Sequence, residues 1–244
     1  MNIVVIGATS AIATATLRRW AVPHNRLCVM GRNGETLETL AADLRVRGAA
    51  EVVVLTEDPA DIEAHEGTVA RILSEFGPVD LLLVAHGMLP DQKACQSSTA
   101  HLATAFVVNA LSVLSYVGWF ANAMEERRSG CIAVISSVAG DFGRTSNYVY
   151  GSAKATLNTF LQGLRNRLHR SGVRVVTIKP GFVDTPMTAG MKKGLLFAKP
   201  DVVAARIDAL CARGDGEYYV PGFWWAIMTL LKALPSKVKI TRNW

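Results

Sequence analysis

Six short apolar runs separated by helix-period segments constrain this chain more than any other feature. The runs are 2–6, 26–31, 51–55, 79–85, 131–135 and 173–178. Strands that are apolar at nearly every position have to be covered on both faces, and strands alternating with helices build a parallel sheet between two helical layers. The helical pattern occupies 11–20, 61–76, 98–128 and about 146–170, with Gly77-Pro78 and Ser129-Gly130 as breaks. At 244 residues, half of them hydrophobic, the chain is long enough to bury such a core as one domain, and no repeat or linker divides it.

The opening is more specific than the alternation. Run 2–6 ends in Gly7-Ala8-Thr9-Ser10, and a helix pattern starts at Ala11. Strand, glycine turn and helix N-terminus form a phosphate cradle, so Gly7, Thr9, Ser10, Ala11 and Ile12 are candidate dinucleotide contacts. Ala11 and Ala13 stand where such loops usually carry further glycines. After the second run comes Arg32 with no acidic residue at the strand end, which favours NADP(H) over NAD(H), because an arginine takes a 2′-phosphate and an acid takes a 2′-hydroxyl. Asp58, just past the third run, is placed to meet an adenine edge, and His86-Gly87 closes the fourth.

A second cluster carries acid-base chemistry. Run 131–135 leads into Ser136-Ser137, and Tyr150-Gly151-Ser152-Ala153-Lys154 follows. Tyr150 and Lys154, four apart on a helix, share a face. A phenol with an ordinary pKa of about 10 is a slow proton donor near neutrality, an adjacent ammonium favours its ionised form, and a serine hydroxyl can hold a carbonyl oxygen. After the sixth run comes Pro180-Gly181-Phe182-Val183-Asp184-Thr185, a turn whose Thr185 can reach a nicotinamide carboxamide. Segment 188–199 then has the apolar content of a mobile lid.

Composition narrows the alternatives. Net charge is +6, but the basic residues are scattered and do not interleave with aromatics, so no nucleic-acid partner is expected. Cys28, Cys95, Cys131 and Cys211 have no paired spacing and read as reduced thiols rather than a disulfide or metal set. No basic stretch precedes the first apolar run, and no run of about 18 uncharged apolar residues stands out, so neither a cleaved leader nor a membrane span is expected.

Taken in order, the Gly7 loop, Arg32, Asp58, Asn109, Ser137, Tyr150, Lys154 and Pro180-Gly181-x-x-x-Thr185 resemble the classical short-chain dehydrogenase/reductase family over essentially the whole chain. The resemblance implies a Rossmann-type doubly wound α/β fold of about seven strands in the order 3-2-1-4-5-6-7. It makes Tyr150 the acid-base and gives Lys154 the nicotinamide ribose and the tyrosine pKa. Ser137 orients the carbonyl, and Asn109 holds a water that links Lys154 to solvent. Val183 joins the cofactor contacts, His86 and Gly87 border the cofactor, and Tyr148 is a lining residue. Homodimers or homotetramers are also implied. Val84-Ala85-His86-Gly87 departs from the family's Asn-Asn-Ala-Gly.

The segments Ser136-Ser137-Val138-Ala139-Gly140 and Arg144-x-Ser146-Asn147-Tyr148-Val149-Tyr150-Gly151-Ser152-x-Lys154, with Leu234-Pro235-Ser236-Lys237 near the end, are similar to decaprenylphosphoryl-2-keto-ribose reductases. That branch implies a lipid-linked keto sugar as substrate, a role in cell wall biosynthesis and a flavin oxidase as partner. The expected organisation is one cofactor-binding domain over 1–222 and an apolar, basic extension over 223–244. Segment 223–234, flanked by Lys232, Lys237, Lys239 and Arg242, suits either an anionic membrane surface or packing on the domain. A cytoplasmic enzyme with peripheral membrane contact is expected. The competing readings are a reductase of a soluble ketone, such as a ketoacyl or steroid-like compound, and a nucleotide-sensing module. An intact Ser137, Tyr150 and Lys154 argue against the last.

Overall fold

Each central strand sends alternate residues into two different hydrophobic layers. On one face Ile3, Val5, Leu27, Val29, Leu81 and Leu83 are buried with Leu17, Leu37, Leu44 and Ile207. On the other, Val4, Ile6, Cys28, Met30, Leu82 and Val84 meet Ile72, Tyr116, Phe120, Leu157 and Leu161. The two-residue period of a strand produces that split, and it explains why the runs are apolar throughout.

The computed structural model, which describes residues 1–235 and residue 238, joins seven strands into one sheet in the order β3-β2-β1-β4-β5-β6-β7. The strands are β1 (Asn2–Ile6), β2 (Arg26–Gly31), β3 (Glu51–Thr56), β4 (Leu81–Val84), β5 (Cys131–Ile135), β6 (Arg174–Pro180) and β7 (Gly216–Val220). Every pairing is parallel. This is the order implied by the resemblance.

Helices α1 (Ala11–Trp20), α2 (Gly34–Val46) and α8 (Pro200–Arg213) cover the first face. On the second face lie α3 (His65–Arg71), continued by a π-turn to Phe76, α6 (Ser112–Arg127) and α7 (Tyr148–Leu168). Side chains fix where several helices start: Ser10 Oγ accepts from Ala13 N at 3.2 Å, and Asn33 Oδ1 accepts from Thr36 N at 2.9 Å. The four cysteines are free and buried.

The expected helix 98–128 is interrupted. Short α4 (Gln92–Ser97) and α5 (Thr99–Phe106) lead into a π-helical turn, Val107–Leu111, before α6 begins. The combined stretch Thr99–Arg127 is 29 residues, long and apolar enough by length and composition to cross a membrane, which corrects the expectation that no segment qualified. Here Val113, Tyr116, Val117 and Phe120 are buried in the second layer, so the stretch serves as a core helix. α9 (Phe223–Ala233) buries Trp224 and Met228 against Val138, and leaves Phe223, Trp225 and Leu230 exposed. Of the expected basic flank, Lys237, Lys239 and Arg242 lie outside the described residues, as does Ser236. Lys232 donates from Nζ to the Tyr219 hydroxyl at 3.3 Å.

Candidate functional site

The carboxyl ends of β1, β2, β4, β5 and β6 open into a cavity of about 670 Å³. This is where a doubly wound sheet places its ligand. Among the residues singled out from the sequence, Gly7, Thr9, Ser10, Ala11 and Ile12 line its phosphate end. Gly7 has φ +78°, and a Cβ there would fall 2.5 Å from the His86 backbone nitrogen, so only glycine lets the β1 exit pass beneath the β4 exit. Ser10 caps α1, while the amides of Ala11 and Ile12 have no hydrogen-bond partner among the described residues and remain available to an anion. Ala13 is fully buried in the sheet-facing layer, so its methyl fills core space and leaves the loop open.

Arg32 and Asp58 border the far end of the cavity. Arg32 is exposed at the end of β2, and Asp58 Oδ1 accepts from Ala60 N at 3.0 Å, shaping the turn after β3. Halfway along lie His86 and Gly87. His86 Nε2 is 2.8 Å from Ser112 Oγ, whose own proton goes to the Val108 carbonyl at 3.1 Å. That assigns the ring proton to Nε2 and leaves the buried Nδ1 as an acceptor without a partner. Burial, aided by the Lys154 charge, pushes the imidazole down to about 3, so it is neutral.

Ser137, Tyr150 and Lys154 meet at the opposite end. Ser137 Oγ accepts from Ala139 N at 3.1 Å, and its hydroxyl neighbours that of Tyr150. Lys154 Nζ donates to the Ile135 carbonyl at 3.2 Å and sits 5.7 Å from the centre of the Tyr150 ring. Burial lowers Lys154 to about 8 and raises Tyr150 to about 12, the neighbouring Ser137 hydroxyl opposing the latter only in part. The expected lowering of the phenol is therefore not seen in the protein alone, because desolvation outweighs the serine hydroxyl that favours phenolate.

Two glycines let these parts converge. A Cβ on Gly140 would lie 2.7 Å from the Lys154 carbonyl carbon, and one on Gly151 would lie 2.8 Å from the Ala139 oxygen, so the turn after β5 presses directly on α7. Beneath it, Ser136 Oγ donates to Asn158 Oδ1 at 2.7 Å, and Asn158 Nδ2 contacts Asp141 Oδ1 at 3.4 Å. Asp141 pairs with Lys179 at 2.9 Å and also takes the Tyr219 hydroxyl, while Lys179 pairs in addition with Glu217.

Pro180, Gly181, Val183 and Thr185 border the same end, joined by Met187 and, from the expected lid, Met191. Val183 bridges to Ala198, and Phe182 stacks on Phe197 with ring centres 5.3 Å apart, so the lid folds back on its own stem. Asn109 is fully buried and does not line the cavity. Its Oδ1 accepts from Met88 N at 2.9 Å and its Nδ2 donates to the Ala105 carbonyl at 3.0 Å. Tyr148 is exposed and likewise outside the lining. Sequence reasoning assigned no role to Arg144, Asn147 and Met88, which do line the cavity, or to Trp224, which backs Gly181; only the quoted motif around Tyr150 pointed toward the first two. Among the described residues no cluster suited to a metal ion occurs.

The orphan amides, the unpartnered His86 Nδ1, the arginine at one end and the hydroxyl pair at the other fit an extended dinucleotide lying across the sheet. Comparison with known proteins agrees. The family model for short chain dehydrogenases matches residues 1–195. An uncharacterized oxidoreductase of Mycobacterium tuberculosis is 35% identical over 95% of this chain and 92% of its own length. An acetoacetyl-CoA reductase of Allochromatium vinosum is 30% identical, with 89% and 93% covered. In structure the chain is similar to an actinorhodin polyketide ketoreductase solved with NADPH, at a TM-score of 0.79 and 24% identity over 91% of this chain and 96% of that one. The protein therefore belongs to the short-chain dehydrogenase family of NAD(P)-dependent oxidoreductases.

Proposed function

We propose that the protein reduces a ketone to a secondary alcohol with NADPH, and that Tyr150 delivers the proton. The observation that carries this reading is the convergence of Ser137, Tyr150 and Lys154 in one cavity with a phenol that burial keeps protonated. The dinucleotide supplies the hydride at its nicotinamide. Ser137 holds the carbonyl oxygen, Tyr150 gives that oxygen its proton as negative charge develops, and Lys154 stabilises the phenolate left behind. Asn109 acts as a positioning residue, tying the β4 exit at Met88 to the π-turn of the long helix.

Arg32 and the absence of an acid beside it support NADPH over NADH. An apolar substrate body is supported by exposed Met187 and, on the lid, exposed Met191, Leu195 and Leu196, together with Phe223, Trp225 and Leu230 of α9. A lipid-linked keto sugar, made into a ketone by a partner flavin oxidase, is the substrate that best uses these surfaces, with α9 resting on the membrane. A ketoacyl thioester is the alternative, favoured by the acetoacetyl-CoA reductase relative. Leu102, Leu111 and Trp119, exposed on α5, its π-turn and α6, suit a homodimer contact.

The test is Tyr150→Phe assayed by nicotinamide absorbance with a panel of ketones. Turnover falls by about a thousandfold while NADPH binding survives, and a variant as active as the parent would end the proposal.

A further inference from the structure

Arg144 stands apart from the other cationic side chains of the cavity. It lies on the loop between the turn after Ser137 and the start of α7, and it lines the cavity. Its Nε is buried and without a hydrogen-bond partner, and its Nη2 rests 3.9 Å from the thioether of Met228. It makes no ion pair among the described residues, although Arg18, Arg19, Arg26, Arg71 and Arg167 each hold a carboxylate. Burial pulls its pKa below the usual 12.5. A half-buried guanidinium whose Nε has no partner and which faces sulfur rather than a carboxylate is costly to keep.

The charges around the cavity explain what would compensate it. Arg32, Arg144 and Lys154 are the cations of its lining and Asp58 is its one carboxylate among the described residues. Asp58 follows β3, beside Arg32 at the end assigned to adenine, so nothing acidic faces Arg144 at the reactive end. Met228 beside it shares one hydrophobic cluster with Val138, and the cavity lining adds Met187 and, from the lid, Met191. Asn147, whose side chain makes no capping bond to α7, offers an amide in the same wall. A guanidinium fork is matched by the oxygens of a phosphate or carboxylate.

We propose that Arg144 is the receptor for an anionic group, phosphate or carboxylate, on an amphiphilic substrate whose carbonyl lies at Ser137 and Tyr150. The word substrate rests on the reductase reading; the anion site itself does not. Arg144 sits at the reactive end, away from Ala11 and Ile12, whose free amides already serve the cofactor's pyrophosphate.

The experiment measures binding, so it does not depend on turnover. Octyl phosphate, octanoate and octanol are titrated calorimetrically into the wild-type NADPH complex and into Arg144→Gln, with NADPH affinity measured for both. One of the anions is expected to bind the wild type about ten- to a hundredfold more tightly than octanol, a margin that added salt reduces and that nearly disappears in Arg144→Gln. Which anion wins separates a phosphate substrate from a carboxylate. Equal binding of anion and alcohol by the wild type, or a margin that survives the substitution, overturns the proposal. A fall in NADPH affinity in Arg144→Gln matching that of Arg32→Gln also overturns it, by assigning Arg144 to the cofactor. If Arg144→Gln unfolds, Arg144→Lys is read in its place and must show an intermediate margin. Should the margin behave as expected while no ketone is reduced, the reductase reading fails and the anion site stands.

Discussion

Trp224 lies so close to Gly181 that a single added methyl on the glycine would fall 1.9 Å from the indole nitrogen. Gly181 follows β6 in a turn that lines the cavity, and Trp224 lies in the first turn of α9, so that helix is seated directly on the cavity wall. Gly181→Ala is expected to lower stability by about 1–3 kcal/mol and the melting temperature by several degrees, as overpacked sites do. Gly181→Ala combined with Trp224→Leu recovers part of the loss in a thermal melt. Additive losses would mean that the two do not touch.

Lys154 sets a pH dependence with a definite sign. Its pKa falls from 10.5 to about 8 because burial penalises the ammonium. The unfolded chain therefore holds more protons between those values, so this side chain makes stability rise as pH climbs from about 8 to 10.5, and its cost is fully present below 8. Lys154→Met should melt several degrees above the parent at pH 7, the gap narrowing by pH 10. In the parent, kcat/KM for ketone reduction falls above about pH 8 as Lys154 loses its proton, while Tyr150 stays protonated until about 12. A pH profile that stays level to pH 10 would remove Lys154 from the chemistry.

Arg32 gives a clean comparison between cofactors. Arg32→Gln should weaken NADPH about tenfold and leave NADH within twofold, measured by fluorescence titration. Equal effects on both would show that the side chain meets the adenine or the shared ribose phosphates.

Asp141 and Lys179 form an ion pair in which each side chain is only 5% exposed. Asp141→Ala leaves the buried ammonium with Glu217 alone and strips Tyr219 and Asn158 of their shared acceptor. The expected cost is roughly 3 kcal/mol in urea denaturation. Lys232 also contacts this carboxylate, at 3.8 Å, so the fluorescence of Trp224 should change with the same substitution.

The sheet and the reactive trio were legible in the sequence for a shared reason. Buried parallel strands leave continuous apolar runs, and the trio sits at short fixed spacings beside them. β7, Gly-Glu-Tyr-Tyr-Val, escaped because among the described residues it is an edge strand, paired only with β6 and half-exposed, so its sequence is not uniformly apolar. The π-turn at Asn109 left no trace, since one extra residue in a helical turn barely disturbs the pattern on either side. The Asn109 side chain, which ties Met88 N to the Ala105 carbonyl behind the cavity wall, sits on that turn. Lys232 read as part of a basic flank, and its inward contacts with Tyr219 and Asp141 depend on partners that are distant in sequence.

The strand order also carries information about synthesis. β1 is made first and ends up in the middle; β2 and β3 extend one side, then β4, β5, β6 and β7 are added one after another to the other. Each new strand leaving the ribosome thus docks on an edge that is already waiting, and no strand has to be inserted between two others. α9 follows all seven strands in sequence and closes over Gly181, so the chain completes its sheet before it completes the wall of the cavity.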